Sequence, residues 1–382
     1  MTDVRSVAIG IRNINTKSGL GKIVLEQVDY YLSQGIDVTI YTSKHDAAIR
    51  ERKVKVIKIP RVPLIGEYYQ RLLFSKQAEK KINKGAHDLV IGHGDLLNQD
   101  VMFLHNLVEK AYLLTHHKPM QPLNPIARIR RLILKKQGFK ALVANSELMK
   151  DELVKVFEIP AEKITVIYPA FDPKQFNTTD AETLRKSVRQ ELNIPQDALL
   201  IGFITSGDFK KRALDLFIEA LHRLDKEIDY KVLLVGKDKN LPHYMQQAKA
   251  YGLEARFIVR EPVEHVETYF HAVDFTVHPA HFEEFGMVVQ EAMACGLPVI
   301  TSQRVGASEI MLERSTIITV PDADELAEQM KRVSSDPELR QELSLKAVAS
   351  VQGRGWEQYM RSFTRCTTRL GPDPFISTVC TL

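Results

Sequence analysis

Two glutamates and a glycine in HPAHFEEFGMVVQEAMACGLPVI, residues 278–300, have the types and spacing of a ligand site. A helix is predicted to begin after Gly286 and to run to about Cys295. Because the first backbone N–H groups of a helix lack partners within the helix, they can bind a phosphate or diphosphate. Glu283 precedes this helix and Glu291 lies about five residues into it, roughly 7 to 8 Å along the axis. We expect the two carboxylates to hold two ends of one extended ligand; the alternative is two ordinary surface acids near a helix start.

A basic pair, Lys211-Arg212, forms a second candidate site within ITSGDFKKRALDLFIEAL, residues 204–221. The pair directly precedes a predicted helix, and the dipole of a helix disfavours cations at that end. An anion is therefore expected to compensate the two charges. A solvated basic patch is the alternative.

Three histidines follow or end predicted strands, where ligands bind in open parallel sheets. His105 follows VMFL, His93 follows DLVIG, and His278 ends DFTVHP. His278 is explained equally well by packing against its neighbours and by contact with a ligand.

The elements that must position these residues alternate along the chain. Short β-branched runs separated by helical patterns are typical of α/β domains with largely parallel sheets. A segment with two prolines, PAFDPKQFNTTD at 169–180, is the predicted linker between two such series. The strands are predicted at 5–11, 36–41, 54–59, 88–92, 101–104, 141–145 and 163–168, and then at 198–204, 231–236, 255–259, 274–279, 298–301 and 316–320.

The length of 382 residues exceeds what one ordinary core supports and suits two domains. We predict two Rossmann-like parallel-sheet domains, at 1–172 and 173–352, with the active site in the cleft between them. Residues 353–382 are predicted to form a C-terminal helix that opens at Trp356 and packs back toward the first domain, followed by an irregular tail from Gly371.

The distribution of charge and the small number of cysteines indicate which partners and which compartment to expect. Residues 1–180 carry a net charge of +9 and the remainder −5, which indicates that one of the two halves faces an anionic surface or ligand while the other has a different role. Three scattered cysteines do not suit a disulfide framework or a clustered metal site and favour a reducing compartment. The N-terminus, charged by its third residue, is not expected to be a signal peptide, so a cytoplasmic location is predicted.

Taken in order, these segments resemble glycosyltransferase family 4, the nucleotide-sugar enzymes of the GT-B fold. The resemblance is carried by the spacing of Glu283 and Glu291, by EAMACGLPVI, by VANSELMKDEL and EKITVIYPAFDPKQF, and by the segment 204–221. Together they cover most of residues 140–310. SGDFKKRALD and HPAHFEEFG are similar to the branch that contains lipopolysaccharide core glucosyltransferases.

The resemblance implies a role for each candidate. Glu283 is expected to contact hydroxyls of the donor sugar, and Glu291 the nucleotide ribose. Lys211 and Arg212 match the phosphate loop and would neutralise charge on the leaving diphosphate through a preorganised electrostatic field. His105 is expected to contact the transferred sugar or the acceptor, so Glu283, His105, Lys211 and Arg212 are the candidate catalytic residues. Further donor contacts are expected at Gly19, Gly207, Phe285, Gly286 and Met287.

The phosphate loop departs from the family pattern at three positions. Relatives usually have arginine, lysine and glycine, whereas this chain has Lys211, Arg212 and Ala213. The charge is kept but the planar fork of arginine and the point charge of lysine are exchanged. Alanine also allows less backbone freedom than glycine.

The implied function is a retaining, metal-independent transfer of a hexose from a nucleoside diphosphate sugar, with UDP expected as the nucleotide. The acceptor would be a hydroxyl of a glycan or glycolipid in lipopolysaccharide or cell-surface polysaccharide, presented by the first domain. No cofactor is expected, and Asp322-Ala323-Asp324 is interpreted as a helix N-cap and not as a metal site. The alternative is a non-catalytic two-domain sugar-binding protein or scaffold.

The segment 118–140 carries seven Lys or Arg residues and no acid. Ile126, Ile129 and Ile133 recur at helical spacing, so this stretch is predicted to be either an amphipathic helix that contacts an anionic membrane or an ordinary domain helix with a solvated basic face. Membrane contact would place the protein at the inner face of the cytoplasmic membrane. Nucleic-acid binding is not expected, because no aromatic pattern or recognition motif accompanies the charge.

Overall fold

The computed structural model describes residues 4–15, 18–224 and 226–368, and these residues divide into two compact units. The first unit comprises the described residues up to Tyr112, then Lys118–Pro169, then those from Trp356. The second comprises Leu113–His117 and Ala170–Gly355. The change of unit after Pro169 falls at the start of the segment interpreted as a linker, three residues before the division at 172/173 drawn from the sequence. The tail from Gly371 lies outside the described residues.

Among the residues that the structure describes, thirteen strands lie at the positions where β-branched runs predicted them. They are β1 Ser6–Gly10, β2 Asp37–Thr42, β3 Lys55–Lys58, β4 Leu89–Gly92, β5 Val101–Phe103, β6 Ala141–Ala144, β7 Ile164–Val166, β8 Leu199–Gly207, β9 Tyr230–Lys237, β10 Phe257–Arg260, β11 Phe275–His278, β12 Val299–Ser302 and β13 Ile317–Ile318.

Within the described ranges, fourteen α-helices separate or follow these strands. They are α1 Gly19–Ser33, α2 Ala47–Arg50, α3 Glu67–Gly85, α4 Val108–His116, α5 Pro125–Lys136, α6 Glu147–Phe157, α7 Ala181–Glu191, α8 Leu214–Arg223, α9 Leu241–Ala250, α10 Glu267–Ala272, α11 Met287–Ala294, α12 Ala323–Ser335, α13 Pro337–Val351 and α14 Trp356–Thr368.

Each unit is built on one parallel sheet. The first sheet has the order β3-β2-β1-β4-β5-β6-β7 and the second β10-β9-β8-β11-β12-β13, and every neighbouring pair is parallel. The carboxyl ends of all strands in one sheet therefore lie at one edge. The prediction of two Rossmann-like parallel-sheet domains is confirmed. Only β13 is much shorter than its predicted run 316–320, because it is an edge strand that pairs with β12 at two residues.

Several helices begin where the sequence supplies caps. Asn124 accepts the backbone N–H groups of Ile126 and Ala127 at the start of α5, with Pro125 in the first helical position. Asp322 does the same for residues 324 and 325 ahead of α12, which confirms its interpretation as an N-cap. At α13, Asp336 accepts the N–H of Leu339 and a proline again comes first.

The second unit has an aromatic core beneath its site. Phe203 of β8 packs against Phe209 and Phe217, and all three side chains are buried. Arg189 of α7 is fully buried without being uncompensated, because its guanidinium donates to four backbone carbonyls and lies 2.9 Å from Asp274. This arginine ties α7 to the residue before β11.

The C-terminal helix α14 belongs to the first unit. Phe363 packs edge-on against Phe103 of β5 and Tyr31 of α1, with ring centroids 5.2 and 5.9 Å apart. Thr364 donates a hydrogen bond of 2.8 Å to the hydroxyl of Tyr30. The helix therefore closes one side of the first unit beneath the strand that leads to His105.

Candidate functional site

The loop after β8 has a backbone that only certain residues tolerate. Gly207 has φ +145°, and a Cβ at this position would overlap the carbonyl oxygen of Lys237 on β9. The chain then turns through Asp208, and the N–H of Phe209 donates to Asp238 at 2.8 Å. Ala213 adopts φ +58° immediately before α8, which is the left-handed region that favours glycine. Ala213 therefore adopts a conformation that glycine would reach with less strain.

This loop directs Lys211 and Arg212 at two buried carboxylates. Nζ of Lys211 lies 3.3 Å from Oε2 of Glu283 and 3.3 Å from Oε2 of Glu284. Nη2 of Arg212 lies 2.9 Å from Oε1 of Glu283. The structure thus brings together three of the four candidate catalytic residues and adds Glu284, which the sequence analysis did not single out. We call Lys211, Arg212, Glu283 and Glu284 the charge cluster.

The charge cluster keeps Lys211 and Glu283 ionised although both are largely buried. Burial alone would raise the pKa of Glu283, but the charges of Arg212 and Lys211 hold it below its ordinary value. Burial alone would lower the pKa of Lys211, but the nearby side chains of Glu283 and Glu284 raise it. Lys211 and Glu283 therefore face each other as a charged pair in a site largely removed from solvent.

The loop before α11 holds Glu283 in place through its backbone. The N–H of Glu283 donates to the carbonyl of Arg304, and its own carbonyl accepts the N–H of Gly306. Gly286 has φ +89°, and a Cβ at this position would come within 2.9 Å of Val305 Cγ1. Glycine is therefore required where the chain turns into α11, as the sequence predicts.

Helix α11 carries the remaining candidates of this unit. It begins at Met287, directly after Gly286, and Phe285 is buried below the turn. Glu291 is the fifth residue of the helix and is half-buried. No side chain caps the first turn of α11, so its N-terminal N–H groups are not satisfied by a local cap.

Four buried polar atoms around the charge cluster have no hydrogen-bond partner among the described residues. They are Nε of Arg212, Oε1 of Glu283, Nε2 of His278 and Nδ1 of His281. The contact of Arg212 with Oε1 of Glu283 is close enough for an ion pair but lacks hydrogen-bond geometry. Buried polar groups in proteins are nearly always paired, so this concentration makes the charge cluster a candidate site for a polar ligand.

His278 is a neutral imidazole in this setting. It is buried at the end of β11, and burial together with the charges of Arg212 and Lys211 lowers its pKa to about 4, against the opposing effect of Glu283. His278 and His281 thus offer uncharged nitrogen atoms next to the charge cluster. Packing by itself leaves Nε2 of His278 unsatisfied, which favours contact with a ligand.

In the first unit, His105 and His93 form a hydrogen-bonded pair. Nε2 of His105 lies 3.0 Å from Nδ1 of His93, whose Nε2 lies 3.1 Å from Oε1 of Gln27 on α1. Burial and the charge of Arg130 lower the pKa of His105 to about 3. Gln27 was missed by sequence reasoning, because a glutamine inside a helix gives no sign of which side chain it meets.

Gly19 is the first residue of α1 in the same unit. Oγ of Ser18 caps this helix by accepting the N–H of Gly21 at 3.1 Å. Gly19 and His105 therefore lie in the first unit, whereas the charge cluster, Gly207, Phe285, Gly286, Met287 and Glu291 lie in the second.

The basic segment 118–140 contains α5, and most of the apolar residues of this helix are buried in the first unit. Ile129 and Ile133 are buried, whereas Ile126 is 36% exposed, so the expected row of three isoleucines is broken at its first member. The reason is that α5 packs on α3, and the guanidinium of Arg128 lies 4.1 Å from the ring centre of Tyr68 on that helix. In the described part of the chain, no helix is both long enough and apolar enough to cross a membrane.

A cavity of about 550 Å³ lies between α4, α5 and α6 in the first unit. Its wall combines apolar residues such as Leu107 and Phe157 with basic and acidic side chains, namely Lys110, Arg130, Arg131, Lys135, Glu109, Glu152 and Glu158. These include two ion pairs, Lys110 with Glu152 and Arg131 with Glu109. Arg130 also donates to the carbonyl of Gly94 and to the side chain of Asn106, the residue after His105. The cavity therefore opens close to the carboxyl ends of β4 and β5.

Two family models match the chain in succession. The description of the first is glycosyltransferase family 4, and it matches residues 17–175. The second is described as glycosyl transferases group 1 and matches residues 185–348. Each model thus matches most of one of the two parallel-sheet units.

Curated relatives include the D-inositol 3-phosphate glycosyltransferases of Xylanimonas cellulosilytica and Kribbella flavida. The first is 28% identical over 229 residues, which is 57% of this chain and 54% of the relative. The second is 27% identical over 231 residues, which is 56% of this chain and 53% of the relative. The chain spans about half the length of the curated relatives it matches.

Solved structures share the fold over nearly the whole chain. WaaG, a glycosyltransferase involved in lipopolysaccharide biosynthesis, has a TM-score of 0.78 and 19% identity, covering 95% of this chain and 99% of WaaG. Sucrose-phosphate synthase from Thermosynechococcus elongatus has a TM-score of 0.76 and 18% identity, covering 96% and 99%. Anabaena HepE in complex with UDP and glucose has a TM-score of 0.74 and 17% identity, covering 96% and 100%.

Proposed function

The chain belongs to glycosyltransferase family 4 and has the GT-B type of fold, and from this premise we propose that it transfers a hexose from a nucleoside diphosphate sugar to a hydroxyl acceptor. The proposed nucleotide is UDP. The observation that carries the proposal is the charge cluster with its unsatisfied polar atoms, because a diphosphate and a sugar would supply the anion and the hydroxyl groups that these atoms lack.

Each candidate site residue of the second unit has a role in the proposed reaction. Lys211 and Arg212 stabilise the negative charge that develops on the leaving diphosphate, since they are already held in place and mostly removed from water. Glu283 accepts hydrogen bonds from hydroxyls of the donor sugar. Glu291, four residues further along α11 than Met287, accepts from the ribose.

We propose that the transfer retains the anomeric configuration and needs no metal. The bond from the anomeric carbon to the diphosphate oxygen breaks, and a bond to the acceptor oxygen forms on the same face. The acceptor proton passes to the departing phosphate oxygen, so no separate enzymic base is required. The role of a divalent cation falls to Lys211 and Arg212, while Asp322 is already engaged as a helix cap.

The acceptor is proposed to bind in the first unit near His105. The nearby cavity of about 550 Å³ has apolar walls together with both basic and acidic side chains, which suit a ligand with an apolar part and several polar groups. A glycan or glycolipid of lipopolysaccharide or cell-surface polysaccharide is the leading candidate. Inositol phosphate, which the names of the curated relatives specify, is the second acceptor to be screened.

We further propose that 118–140 contacts an anionic membrane surface from the cytoplasmic side. Leu123 is 77% exposed, and Lys135 and Lys136 are exposed on the same segment. Since Ile129 and Ile133 are buried, the contact depends on charge more than on insertion of an apolar face. Sedimentation with vesicles of anionic and of neutral lipid tests this: binding to anionic vesicles should weaken as salt is raised, and binding indifferent to lipid charge and salt would refute it.

Calorimetric titration with UDP and a hydrolysis assay on a panel of nucleotide sugars test the main proposal. The variant Lys211→Met with Arg212→Met should bind UDP at least about 100-fold more weakly, because hydrogen bonds to charged groups contribute roughly 1.5–3 kcal/mol each and two such groups are removed. Lys210→Met removes an exposed charge one residue earlier and should leave the affinity nearly unchanged. If the wild-type protein neither binds UDP or another nucleoside diphosphate nor hydrolyses any donor, the proposal fails.

A non-catalytic sugar-binding protein or scaffold is the competing function. It predicts binding of UDP or of a nucleotide sugar without hydrolysis and without transfer to any acceptor. Slow donor hydrolysis that depends on Glu283 separates the two, since a binding protein has no reason to cleave its ligand.

A further inference from the structure

Three side chains from three separate elements form a buried chain of hydrogen bonds in the first unit. Gln27 lies on α1, His93 follows β4, and His105 follows β5. His93 is in the middle, 3.1 Å from Oε1 of Gln27 and 3.0 Å from Nε2 of His105. Gln27 is completely buried and His93 nearly so. Only His105, at the end of the chain, retains partial exposure.

The ring of His93 lies beside two other rings. Its centroid is 5.2 Å from those of Phe103 and His105, with interplanar angles of 20° and 10°. The rings of Phe103 and His105 are also nearly parallel, with centroids 6.2 Å apart. Phe103 in turn packs against Phe363 of α14, so the imidazole of His105 belongs to a cluster of rings that reaches the core of the unit.

On either side of His93, neighbouring side chains approach the backbone so closely that only glycine fits. A Cβ at Gly92 would overlap Oε1 of Gln99, and a Cβ at Gly94 would overlap Nη1 of Arg130. Gly94 also has φ +77°. The glycines on either side of His93 are therefore explained by the close approach of Gln99 and Arg130 and by the positive φ of Gly94.

The chain of hydrogen bonds determines which ring nitrogen of His93 and of His105 carries a proton. Both histidines have lowered pKa values, chiefly because of burial, so both are neutral near pH 7. The amide oxygen of Gln27 faces His93, so this Oε1 accepts a hydrogen bond from Nε2–H of His93. Nδ1 of His93 is then unprotonated and accepts from Nε2–H of His105. Nδ1 of His105 is left as an acceptor.

We propose that His93 is a positioning residue for His105, and that Gln27 orients His93, so that His105 presents an unprotonated Nδ1 to a hydroxyl of the bound sugar or acceptor. The contact of His105 with the sugar rests on the proposed function. The chain of hydrogen bonds from Gln27 through His93 to His105, which we call the relay, rests only on the contacts among these three residues. Charge on His105 is not required, because a neutral imidazole that accepts a hydrogen bond orients the hydroxyl by geometry.

The relay can be tested by NMR on the full chain labelled with ¹⁵N-histidine. In the wild-type protein, Nε2 of His105 should carry a proton that exchanges slowly with water. His93→Phe keeps a ring in the stack but removes both hydrogen bonds, and exchange of that proton should accelerate at least about 10-fold. His93→Asn places an amide oxygen where Nδ1 was and should restore protection. The signal is assigned by its loss in His105→Gln.

Two outcomes would overturn the proposal. One is a wild-type spectrum in which Nδ1 of His105 carries the proton, and the other is unchanged exchange at His105 in His93→Phe. If His93→Phe does not fold, Gln27→Leu provides the same test from the far end of the relay, with loss of protection expected first at Nε2 of His93.

A kinetic measurement connects the relay with transfer. His93→Phe should lower kcat for transfer about 10-fold or more while KM for the donor stays within about twofold, and His93→Asn should recover most of kcat. A purely structural role would change thermal stability without this separation of kcat from KM. Because the exchange measurement needs no substrate, it still decides on the relay if the proposed transferase activity is absent.

Discussion

Nη2 of Arg212 lies 2.9 Å from Oε1 of Glu283, so the cation expected on the diphosphate and the carboxylate expected on the sugar are paired with each other in the protein itself. Lys211 makes a similar contact with Glu283 at 3.3 Å. A diphosphate that binds the two cations must compete with Glu283. As it does so, it frees the carboxylate to accept hydrogen bonds from sugar hydroxyls, which couples the two halves of donor recognition.

This pairing predicts opposite effects of Glu283→Gln on turnover and on UDP binding. Turnover of a nucleotide sugar should fall at least about 100-fold, because the acceptor of the sugar hydroxyls loses its charge. UDP affinity should stay the same or increase, because the competing carboxylate has gone. Steady-state hydrolysis and calorimetric titration measure the two quantities. Glu284→Gln, which also removes a charge next to Lys211, is the matched control and should keep turnover within about 10-fold. A loss of UDP affinity in Glu283→Gln would contradict the competition.

Backbone strain at Ala213 leads to a second expectation. An L-residue in the left-handed region costs about 1 kcal/mol, and glycine relieves most of that cost. Ala213→Gly should therefore increase the free energy of unfolding by up to about 1 kcal/mol in urea denaturation. Ala220→Gly, in the buried interior of the following helix, should lower it by about 1 kcal/mol or more. If both substitutions destabilise the protein, the strain at Ala213 is compensated by packing of its methyl group.

The strands and the helix ends could be predicted from the sequence, because short residue patterns determine where these elements lie. The run KVLLVG at 231–236 became β9 since β-branched residues suit a strand buried on both faces. Asp336-Pro337 placed the start of α13, because Asp336 accepts one of the N–H groups of the first turn and proline at the first helical position has no N–H to satisfy. Gly286 and Gly296, which both have positive φ, lie next to the two ends of α11.

The candidate site could be predicted only where its members lie close in the sequence. The separation of Glu283 from Glu291 on a loop and helix was readable, but the contact of Lys211 with Glu284 was not, since it joins two loops that meet only when β8 and β11 pair. Gln27 escaped notice because its partner lies 66 residues away. The exposure of Ile126 likewise depends on how α5 packs on α3, which periodicity alone does not fix.

Burial of neutral His278 should make the protein acid-sensitive. Its pKa is about 4 in the folded protein and about 6.5 when the chain is unfolded. Between these values the unfolded state binds more protons, so stability is lost as the pH falls. From about pH 7.5 to about pH 5.5, the free energy of unfolding should fall by about 1 kcal/mol more in the wild type than in His278→Gln. Urea denaturation at both pH values measures the difference, with His243→Gln at an exposed position as the control. Equal pH dependence in His278→Gln and the wild type would show that His278 titrates normally.

Gly207 should be the residue of the phosphate loop that tolerates substitution least. Its φ of +145° is strained for any side chain, and a Cβ would also overlap the carbonyl oxygen of Lys237. Gly207→Ala should therefore lower the free energy of unfolding by about 2–3 kcal/mol and weaken UDP binding about 10-fold, because β8 must move away from β9 and carries Lys211 with it.

Gly252→Ala is the matched control for this substitution. Gly252 also has a left-handed φ, +72°, but no atom lies within 4 Å of the added Cβ. The free energy of unfolding should fall by only about 1 kcal/mol, with UDP binding unchanged. Urea denaturation and calorimetric titration of both variants separate backbone strain from overlap with Lys237. If the two variants lose equal stability, the overlap contributes nothing, and the requirement for glycine at position 207 is one of backbone conformation alone.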